Sequence, residues 1–440
     1  MTDATVRLWG RDIGAVSWLP DRNIGVFQYM PDFAASGIEL APIMMPLGTN
    51  PYEFPGLPRP AFKGLPGLLA DSLPDKFGNA LIDAWLVAQG RAADSFNPVE
   101  RLCYIGTRGM GALEFHPAIL KGARTSKRLE IDALTRLANQ VLNNRTNLAG
   151  VLSGDDDSET LQEILRVGTS AGGARAKAIV AYNHDTGEVR SGQVDGLPGF
   201  TYCLIKFDGV TNKALGDPMG YGRIEYAYHL MAVASGISMM PCTLLEEHGR
   251  AHFLTQRFDR VRDDRGTVHK LHMATLCGMA HMDYNQPLVH SYEQAFQVMR
   301  LLGLPYPDAA ELFRRACFNV IAWNCDDHTK NTSFLMDPQG DWHLAPAYDM
   351  TYAYNPESLW LRQHQMSLNG KRDHFETADL VAFGGFCGLK PKKAESIIRD
   401  MHAHVENWPS FADQAGVPKA EAVKIHRAMR REMVIPAARS

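Results

Sequence analysis

The sequence predicts an α+β protein of two lobes, with a β-rich N-terminal part and an all-helical C-terminal lobe. Three observations lead to this fold class. The chain has 440 residues, more than one compact core of ordinary size contains. Strand-like runs are frequent in its first half, and helical periodicity dominates from about Ser291 onward. Hydrophobic residues make up 45% and charged residues 21% of the chain, as in ordinary globular proteins.

The N-terminal region predicts three strands and a mixed segment. Val6–Trp9 and Ile13–Trp18 flank Gly10–Asp12, which has the composition of a hairpin turn. Asn23–Met30 predicts a third strand, and Glu100–Pro117 predicts strand-like runs around several glycines. A helix is predicted from about residue 74 to 87, and helical periodicity returns from 128 to 148.

The middle and the end of the chain differ in pattern. Lys177–Tyr182 and Tyr202–Phe207 predict strands, Arg223–Gly236 predicts a helix, and Thr243–Glu247 with His252–Arg257 predict paired strands. Five further helices are then predicted: Glu293–Leu302, Asp308–Trp323, Thr377–Phe383, Lys392–Trp408 and Lys419–Met433.

Charge, cysteine usage and hydropathy limit the function classes. With 45 basic and 49 acidic residues the net charge is −4, which argues against direct nucleic-acid binding. No apolar run reaches the roughly 18 residues of a membrane span, and the first residues lack the pattern of a secretory signal. The seven cysteines are scattered singly, without a CxxC pair. We therefore expect a reduced, cytoplasmic setting and no membrane association.

The most informative segment is Asn324–Asn331, which reads Asn-Cys-Asp-Asp-His-Thr-Lys-Asn. Phosphoryl transfer needs a carboxylate that orients the attacking hydroxyl and oxygen ligands that hold Mg²⁺ against the phosphates. Asp326 and Asn331 stand five residues apart, the spacing of base and metal ligand in kinase catalytic loops. His328 and Lys330 lie between them and are expected to face the γ-phosphate of ATP.

Two other interpretations of this segment remain open. It could be a plain polar loop between a helix and a strand. It could also hold a metal ion through Cys325, Asp327 and His328, although neighbouring residues rarely converge on one ion.

A second aspartate lies 18 residues after Asn331, in Leu344–Met350. The residues between them predict a strand, a turn and a strand, at Ser333–Met336 and Trp342–Leu344. Such a hairpin would bring Asp349 back beside Asn331. Carboxylate and amide oxygens suit Mg²⁺, so we predict Asn331 and Asp349 as its ligands.

A glycine-rich loop precedes the predicted strand at Lys177. Small residues allow backbone N–H groups to approach phosphate oxygens closely. The residues predicted to cover the ATP phosphates are Gly172, Gly173, Ala174, Arg175, Ala176 and Lys177. The loop matches neither a Walker A motif nor a dinucleotide fingerprint, and a plain turn is the simpler interpretation.

Further ATP contacts are predicted downstream. Lys206 lies between apolar residues in a short strand, as a phosphate-binding kinase lysine does, and Glu225 on the next helix could pair with it. Gln256, Arg257 and Phe258 close the last strand before the helical half, where a kinase hinge would meet adenine. A solvent-facing strand lysine is the alternative for Lys206.

The order of these features along the chain is that of a protein-kinase-like fold. A glycine-rich loop, a strand lysine, a helix glutamate, a hinge, a catalytic Asp…Asn pair and a metal aspartate follow one another. We therefore predict three regions: a β-rich subdomain at 1–125, an α/β ATP-binding part at 126–270, and a helical lobe with the catalytic loop at 271–440.

The same residues resemble the HipA family of kinase toxins from bacterial toxin–antitoxin pairs. Asn324–Asn331 is similar to the family's Asn-x-Asp-(Asp/Gly)-His-x-Lys-Asn stretch, and Pro346–Asp349 to its Pro-x-Tyr-Asp. Ser170, Gly173 and Lys177 match its Ser-x-x-Gly-x-Gln-x-Lys loop, in which Arg175 replaces the usual Gln. The N-terminal hairpin and the glycines near residue 106 also look like the family's front domain.

This resemblance implies a serine/threonine kinase that uses ATP and Mg²⁺. It also implies a helix-turn-helix antitoxin partner, a cytoplasmic protein substrate such as a translation component, and autophosphorylation of Ser170 as an off-switch. Two rival functions remain: a small-molecule phosphotransferase of the aminoglycoside type, and a catalytically inactive interaction module on a kinase scaffold.

Overall fold

The computed structural model describes residues 2–119, 128–143, 164, 168, 175–193, 197–210 and 220–433. The chain divides into two compact units. The N-terminal unit comprises residues 1–222, 241–274 and 335–341, and the C-terminal unit comprises 223–240, 275–334 and 342–440. The division into three regions predicted from the sequence stays a prediction.

The N-terminal unit begins with an antiparallel four-stranded sheet in the order β3-β2-β1-β4. Its strands are β1 (Thr2–Leu8), β2 (Arg11–Leu19), β3 (Ile24–Tyr29) and β4 (Leu113–His116). The two-residue loop between β1 and β2, Trp9-Gly10, has φ values of 48° and 79°. Positive φ at both loop residues matches the right-handed twist of a tight hairpin, and Gly10 takes this conformation without steric cost. The predicted N-terminal hairpin is confirmed.

A second antiparallel sheet of the N-terminal unit has the strand order β6-β5-β7-β9-β8. The strands are β5 (Lys177–Tyr182), β6 (Val189–Ser191), β7 (Thr201–Lys206), β8 (Cys242–Glu247) and β9 (Arg250–Gln256). β10 (Arg260–Arg262) and β11 (Val268–Lys270) form a separate hairpin. The predicted pairing of residues 243–247 with 252–257 is confirmed by the β8–β9 ladder.

Short helices connect and cover these sheets. They are α1 (Pro31–Ala34), α2 (Arg59–Phe62), α3 (Gly67–Ala70), α4 (Lys76–Ala88), α5 (Pro98–Ile105) and α6 (Ile131–Asn143). α4 and α6 place Leu81 and Leu134 in one buried cluster with Ile205 and Leu254 of the five-stranded sheet. This buried cluster therefore includes residues of the five-stranded sheet, which also carries Lys177 and Lys206.

The expectation of strand-like runs from Glu100 was wrong for α5. The Asn97 side chain accepts hydrogen bonds from the N–H groups of Val99 and Glu100. In turn, the Glu100 carboxylate accepts a hydrogen bond from the Asn97 N–H. Pro98 occupies the first helical turn, where its missing N–H costs nothing. This capping box, present in the sequence, starts a helix.

The C-terminal unit is mainly helical. Its helices are α7 (Tyr221–Ala234, from Arg223 onward in this unit), α8 (Leu276–Ala280), α9 (Tyr292–Leu301), α10 (Tyr306–Ile321), α11 (Thr377–Phe386), α12 (Pro391–Glu406), α13 (Trp408–Gln414) and α14 (Lys419–Ala428).

The expectation that residues 271–440 are all helical was too simple. They contain β12 (His272–Thr275), β13 (Ser333–Met336) and β14 (Trp342–Leu344), which form a sheet in the order β12-β13-β14. The predicted hairpin between Asn331 and Asp349 is present, since Ala345 N donates to Ser333 O at 2.9 Å. The α+β class is correct, but part of its β structure lies in the C-terminal half.

The helix α10 carries the chain to the predicted catalytic loop. From Leu312 to Ile321 most of its residues are buried. The Tyr228 ring packs edge-on against Phe318 and Trp408, at centroid distances of 5.8 and 5.1 Å, and its hydroxyl donates to Ala322 O at 2.5 Å. These contacts fix the end of α10, from which the loop departs. Among the described residues, no helix is long and apolar enough to cross a membrane.

A buried cluster of charged residues joins the segment after β9 to the glycine-rich turn before β4. Asp259 is fully buried and binds Arg257 at 2.7 Å and Arg260 at 2.9 Å. It also accepts the Gly111 N–H at 2.6 Å. Burial alone would raise the pKa of Asp259, but Arg257 and Arg260 together hold that pKa below its ordinary value. The carboxylate therefore stabilises the fold most strongly in its charged form.

We expect Asp259→Asn to destabilise the N-terminal unit by about 3–5 kcal/mol at pH 7, because two buried cations lose their carboxylate. The control is Asp263→Asn at an exposed pair with His269, where little change in stability is expected. Since the folded-state pKa of Asp259 is depressed, its contribution is present above the unfolded pKa of about 4 and is lost as the pH falls further. Urea unfolding at pH 7 and pH 3 checks this. An equal effect at both pH values contradicts it.

Candidate active site

The predicted catalytic loop follows α10 in the C-terminal unit. Trp323 takes a positive φ of 56°, which turns the chain out of the helix. Asn324 then forms a parallel bridge with Ala353, in which Cys325 N donates to Ala353 O at 2.9 Å. The loop is thus fixed both by the helix before it and by a segment further along the chain.

Asp326 and Asn331 lie together in this loop. The Asn331 side-chain amide donates to the backbone carbonyl of Asp326 at 2.7 Å. The Asp326 side chain is 47% exposed, and its Oδ1 lies 3.8 Å from His328 Nε2. The carboxylate can therefore reach a substrate hydroxyl. Because Asn331 donates through Nδ2, its Oδ1 is the atom suited to a metal ion.

The segment that carries Asp349 is joined directly to the catalytic loop. The Tyr348 hydroxyl donates to the Lys330 carbonyl at 2.5 Å and contacts the Ser333 hydroxyl. Tyr348 immediately precedes Asp349, and Lys330 immediately precedes Asn331. Asp349 itself has a positive φ of 54°, a conformation that few residues other than glycine adopt. The two predicted metal ligands therefore follow residues that are hydrogen-bonded to each other.

Tyr284 lies beside Lys330 and His328 of the loop. The Lys330 ammonium is 4.7 Å from the centre of the Tyr284 ring, and the His328 ring centre is 5.7 Å from it. An aromatic face attracts a nearby cation and restricts where its side chain can point. Tyr284 therefore orients Lys330 and His328 on the same side of the loop. No local sequence pattern pointed to Tyr284.

The alternative metal site at Cys325, Asp327 and His328 is not supported. No group of three or more His, Cys, Asp or Glu side chains in the described part of the chain could hold a metal ion. Cys325 is fully buried, and burial raises the pKa of its thiol well above the ordinary value. Asp327 is also buried, and its carboxylate accepts hydrogen bonds from other protein groups.

Two of the predicted phosphate-binding lysines lie opposite each other in the N-terminal unit. Lys177 on β5 is the register partner of Lys206 on β7. Lys177 is buried, with its ammonium 3.5 Å from Asp75, the residue that caps α4. Lys206 is half-buried, and its ammonium lies 5.7 Å from the centre of the Phe253 ring. Directly opposed residues of neighbouring strands lie on the same face of a sheet, so Lys177 and Lys206 share one face.

The glycine-rich loop is described only at its end. Arg175 stacks over the Tyr221 ring at 3.7 Å, and the Ala176 carbonyl accepts the Phe207 N–H at 3.0 Å. The other members of the predicted loop lie outside the described residues: Ser170, Gly172, Gly173 and Ala174. Their roles stay predictions.

The predicted hinge lies at the end of β9. The Gln256 N–H donates to Pro241 O and the Arg257 N–H to Tyr202 O. The Arg257 side chain is buried and binds Asp259. These N–H groups and this guanidinium are engaged within the fold, so an adenine contact here would use carbonyl groups or Phe258. Glu225 is buried on α7, and its pairing with Lys206 stays a prediction.

Two family models match the chain, the HipA N-terminal domain at residues 4–116 and the HipA-like C-terminal domain at residues 169–433. This chain belongs to the HipA family. The second match includes Asp326, Asn331, Asp349, Lys177 and Lys206.

Two individual proteins are similar to this chain. "Putative kinase Y4mE" of Sinorhizobium fredii (strain NBRC 101917 / NGR234) is 32% identical over 131 residues, which are 28% of this chain and 31% of that protein. The match thus spans about a third of that relative. The HipA structure from Shewanella oneidensis MR-1, solved in a complex of HipA, HipB and operator DNA, has a TM-score of 0.65 at 18% identity. It covers 96% of this chain and 94% of that chain, and it confirms the predicted kinase-like α+β fold.

Sequence reasoning assigned no role to several residues around these groups. Asp75 lies about a hundred positions before Lys177, and Tyr284 about forty before His328. Tyr348 was part of a recognised motif, but its contact with the Lys330 carbonyl depends on how the hairpin folds. Only the Pro-x-Tyr-Asp pattern could have drawn attention to it.

Proposed function

We propose that this HipA-family chain is an ATP- and Mg²⁺-dependent serine/threonine protein kinase. It phosphorylates a cytoplasmic protein, and it phosphorylates itself on the glycine-rich loop. One observation carries the proposal. Asp326 is half-exposed, and its backbone carbonyl accepts a hydrogen bond from the Asn331 side chain. The hydroxyl of Tyr348, the residue before Asp349, donates to the carbonyl of Lys330, the residue before Asn331. This is the arrangement that phosphoryl transfer needs, a base beside two oxygen ligands.

In the proposed reaction Asp326 accepts the proton of a serine or threonine hydroxyl. The hydroxyl oxygen forms a bond to the γ-phosphorus of ATP, and the bond between that phosphorus and the β,γ-bridging oxygen breaks, so that ADP leaves with the electron pair. Lys330 and His328, which both lie beside Tyr284, would face the transferred group. Their cationic or donor groups would offset the charge that spreads over its oxygens.

Asn331 Oδ1 and the Asp349 carboxylate would hold Mg²⁺. A hard cation prefers oxygen ligands, and Mg²⁺ is commonly bound by one or two protein groups together with substrate phosphates. The described residues fit this pattern, since they contain these two groups and no larger metal-binding cluster. When bound there, the ion would neutralise charge on the phosphates.

The opposed lysines support nucleotide binding. Lys177 and Lys206 are register partners across β5 and β7, and the Lys177 ammonium lies 3.5 Å from Asp75. Two lysines on one face of the sheet would offer positive charge and hydrogen-bond donors to a polyphosphate. We assign the ATP phosphates to this pair and to the loop from Gly172 onward.

The comparisons suggest the partners. Y4mE is named a kinase, and the Shewanella HipA was solved with HipB and operator DNA. We propose a helix-turn-helix antitoxin as the partner of this chain, with DNA bound only through that antitoxin, because the net charge is −4. Affinity purification from the native cell, followed by mass spectrometry, should recover a small helix-turn-helix protein in amounts comparable to the bait.

The class of acceptor molecule distinguishes the proposed protein kinase from a small-molecule phosphotransferase and from an inactive scaffold. The purified chain is incubated with [γ-³²P]ATP and Mg²⁺ and offered casein, an aminoglycoside or no added acceptor. A protein kinase labels casein or itself on serine or threonine. Label that goes only to the aminoglycoside supports a small-molecule phosphotransferase, and no turnover of bound ATP supports an inactive scaffold.

We expect active protein to gain phosphate at Ser170. A phosphate adds a charge of roughly −1.5 to −2 at neutral pH, which would compete with ATP for the same lysines and backbone donors. ATP affinity should then fall. Intact-mass and peptide spectrometry after incubation with Mg-ATP checks this, with Thr169→Val as the control for the neighbouring hydroxyl. If neither residue is modified, the switch is absent although the kinase assignment stands.

A further inference from the structure

Asp327 stands beside the proposed base but is turned away from it. Its carboxylate is buried, whereas the Asp326 side chain is 47% exposed. Asp327 Oδ2 accepts the Tyr292 hydroxyl at 2.8 Å and His364 Nδ1 at 2.8 Å, and Oδ1 accepts the Gln365 N–H at 2.7 Å. Burial raises the pKa of Tyr292, so this hydroxyl stays a donor. One side chain thus joins the catalytic loop to α9 and to a later segment of the chain.

The hydrogen bonds of His364 define its tautomer. Its Nε2 lies 3.2 Å from a terminal guanidinium nitrogen of Arg430. A guanidinium only donates, so Nε2 must accept, and the proton must be on Nδ1, facing Asp327. His364 is fully buried, and both ring nitrogens are therefore used in one fixed orientation.

Arg430 connects this pair to the end of α10. Its guanidinium donates to Val320 O at 2.6 Å and to Asp373 at 2.7 Å, and its backbone N–H donates to Ile321 O at 3.0 Å. The guanidinium also stacks over the Trp323 ring at 3.9 Å. The chain of contacts from Asp327 through His364 to Arg430 therefore begins in the catalytic loop and ends at the C-terminal end of α10, from which that loop departs.

The segment held by this network, residues 355–373, lies between β14 and α11. All of its residues are described, and none belongs to a helix or to an extended strand. It exposes two large apolar side chains, Leu359 at 57% and Trp360 at 41%. The Gln365 side chain donates to the Trp360 carbonyl, next to the Gln365 N–H that binds Asp327. The segment has backbone bridges at Ser367 with Ser291 and at Leu368 with Lys371. The stretch before Ser367 lies outside these bridges and depends more on side-chain anchors such as Asp327 and His364.

We propose that Asp327 and His364 are positioning residues for phosphoryl transfer. They hold the segment 355–373 against the catalytic loop, so that Asp326 and the acceptor hydroxyl meet in a productive geometry. This inference rests on the proposed kinase function. His364 bonds to Asp327 and Arg430, neither of which is a predicted nucleotide ligand, so its loss should impair transfer to the acceptor and spare ATP binding.

Two substitutions of His364 separate positioning from general packing. In His364→Asn the side-chain amide can take the place of Nδ1–H and donate to Asp327. In His364→Leu a side chain of comparable size fills the space without a donor. His343→Leu, at an exposed position on β14, is the control for removing a histidine.

Casein phosphorylation, binding of a fluorescent ATP analogue and thermal unfolding are measured for wild type and the three variants. We expect His364→Leu to lower kcat/KM for casein by up to about 100-fold, the loss that a misplaced catalytic geometry causes. Its ATP-analogue affinity should be unchanged, and His364→Asn should recover most of the activity. Equal losses in both His364 variants, an undiminished kcat/KM in His364→Leu, or a matching loss of nucleotide affinity overturns the inference.

A second measurement does not depend on turnover. The chain has seven tryptophans, and ¹⁹F NMR of protein labelled with 5-fluorotryptophan resolves Trp360 by comparison with Trp360→Phe. The Trp360 resonance should shift or broaden in His364→Leu and remain in place in His364→Asn. An unchanged resonance in His364→Leu refutes the positioning role. If wild type instead binds no ATP and labels no acceptor, the proposed kinase function fails. The ¹⁹F spectrum then still tests whether His364 holds the segment 355–373 in place.

Discussion

Asp326→Asn should lower phosphoryl transfer by about 100-fold or more, the scale of general-base assistance. The side chain is 47% exposed, and its Oδ1 lies 3.8 Å from His328 Nε2. The isosteric amide can occupy the same volume, but it cannot accept a proton from the acceptor hydroxyl. Folding should persist, because the loop is held by backbone contacts of Cys325 and by the buried Asp327.

The measurement is the initial rate of casein or self-labelling at saturating Mg-ATP, with nucleotide affinity determined on the same samples. Asp264→Asn, at an exposed turn of the N-terminal unit, is the matched control and should match wild type. A variant at Asp326 that labels at nearly the wild-type rate shows that another group is the base. A variant that no longer binds ATP shows that Asp326 acts in binding.

Asp349→Ala should remove most of the Mg²⁺ dependence of ATP binding. If Asp349 and Asn331 hold the ion, loss of the carboxylate leaves one protein oxygen for a divalent cation. Changes in residues that only support metal ligands already cost about 10- to 100-fold in metal affinity, so a direct ligand should cost at least that. Binding of ATP in the presence of EDTA should hardly change.

Isothermal titration with and without Mg²⁺ checks this expectation. Asp341→Ala, at an exposed position in the β13–β14 turn, is the control and should leave both affinities unchanged. A loss of affinity in Asp349→Ala that is the same with Mg²⁺ and with EDTA means that the residue supports the fold of its loop and does not bind the ion.

The sequence predicted those parts of the candidate site that lie close together along the chain. Asp326 and Asn331 are bonded within a single loop, and the β13–β14 hairpin returns the chain so that Tyr348 reaches the Lys330 carbonyl, 18 positions away. Such contacts follow from residue spacing and turn formation. The catalytic roles assigned to these residues stay predictions.

Contacts between distant segments could not be predicted in this way. Asp327 binds Tyr292 and His364, which are 35 and 37 positions from it, and Lys177 faces Lys206 through strand register. Single-sequence patterns indicate strands but not which residues oppose each other across them. The helix α5 was missed for a different reason. Its capping box is a local signal, but the glycines further along the chain led us to predict strands for this segment.

The central claim is that this chain transfers the γ-phosphoryl group of ATP to serine or threonine hydroxyls of proteins, with Asp326 as base. The most direct test incubates extract from the native cell with [γ-³²P]ATP and either wild type or Asp326→Asn, each with Mg²⁺ and with EDTA. We predict labelled phosphoserine or phosphothreonine in specific proteins only with wild type and Mg²⁺. Identical labelling by the variant, or no labelling by wild type that binds Mg-ATP, would contradict the claim.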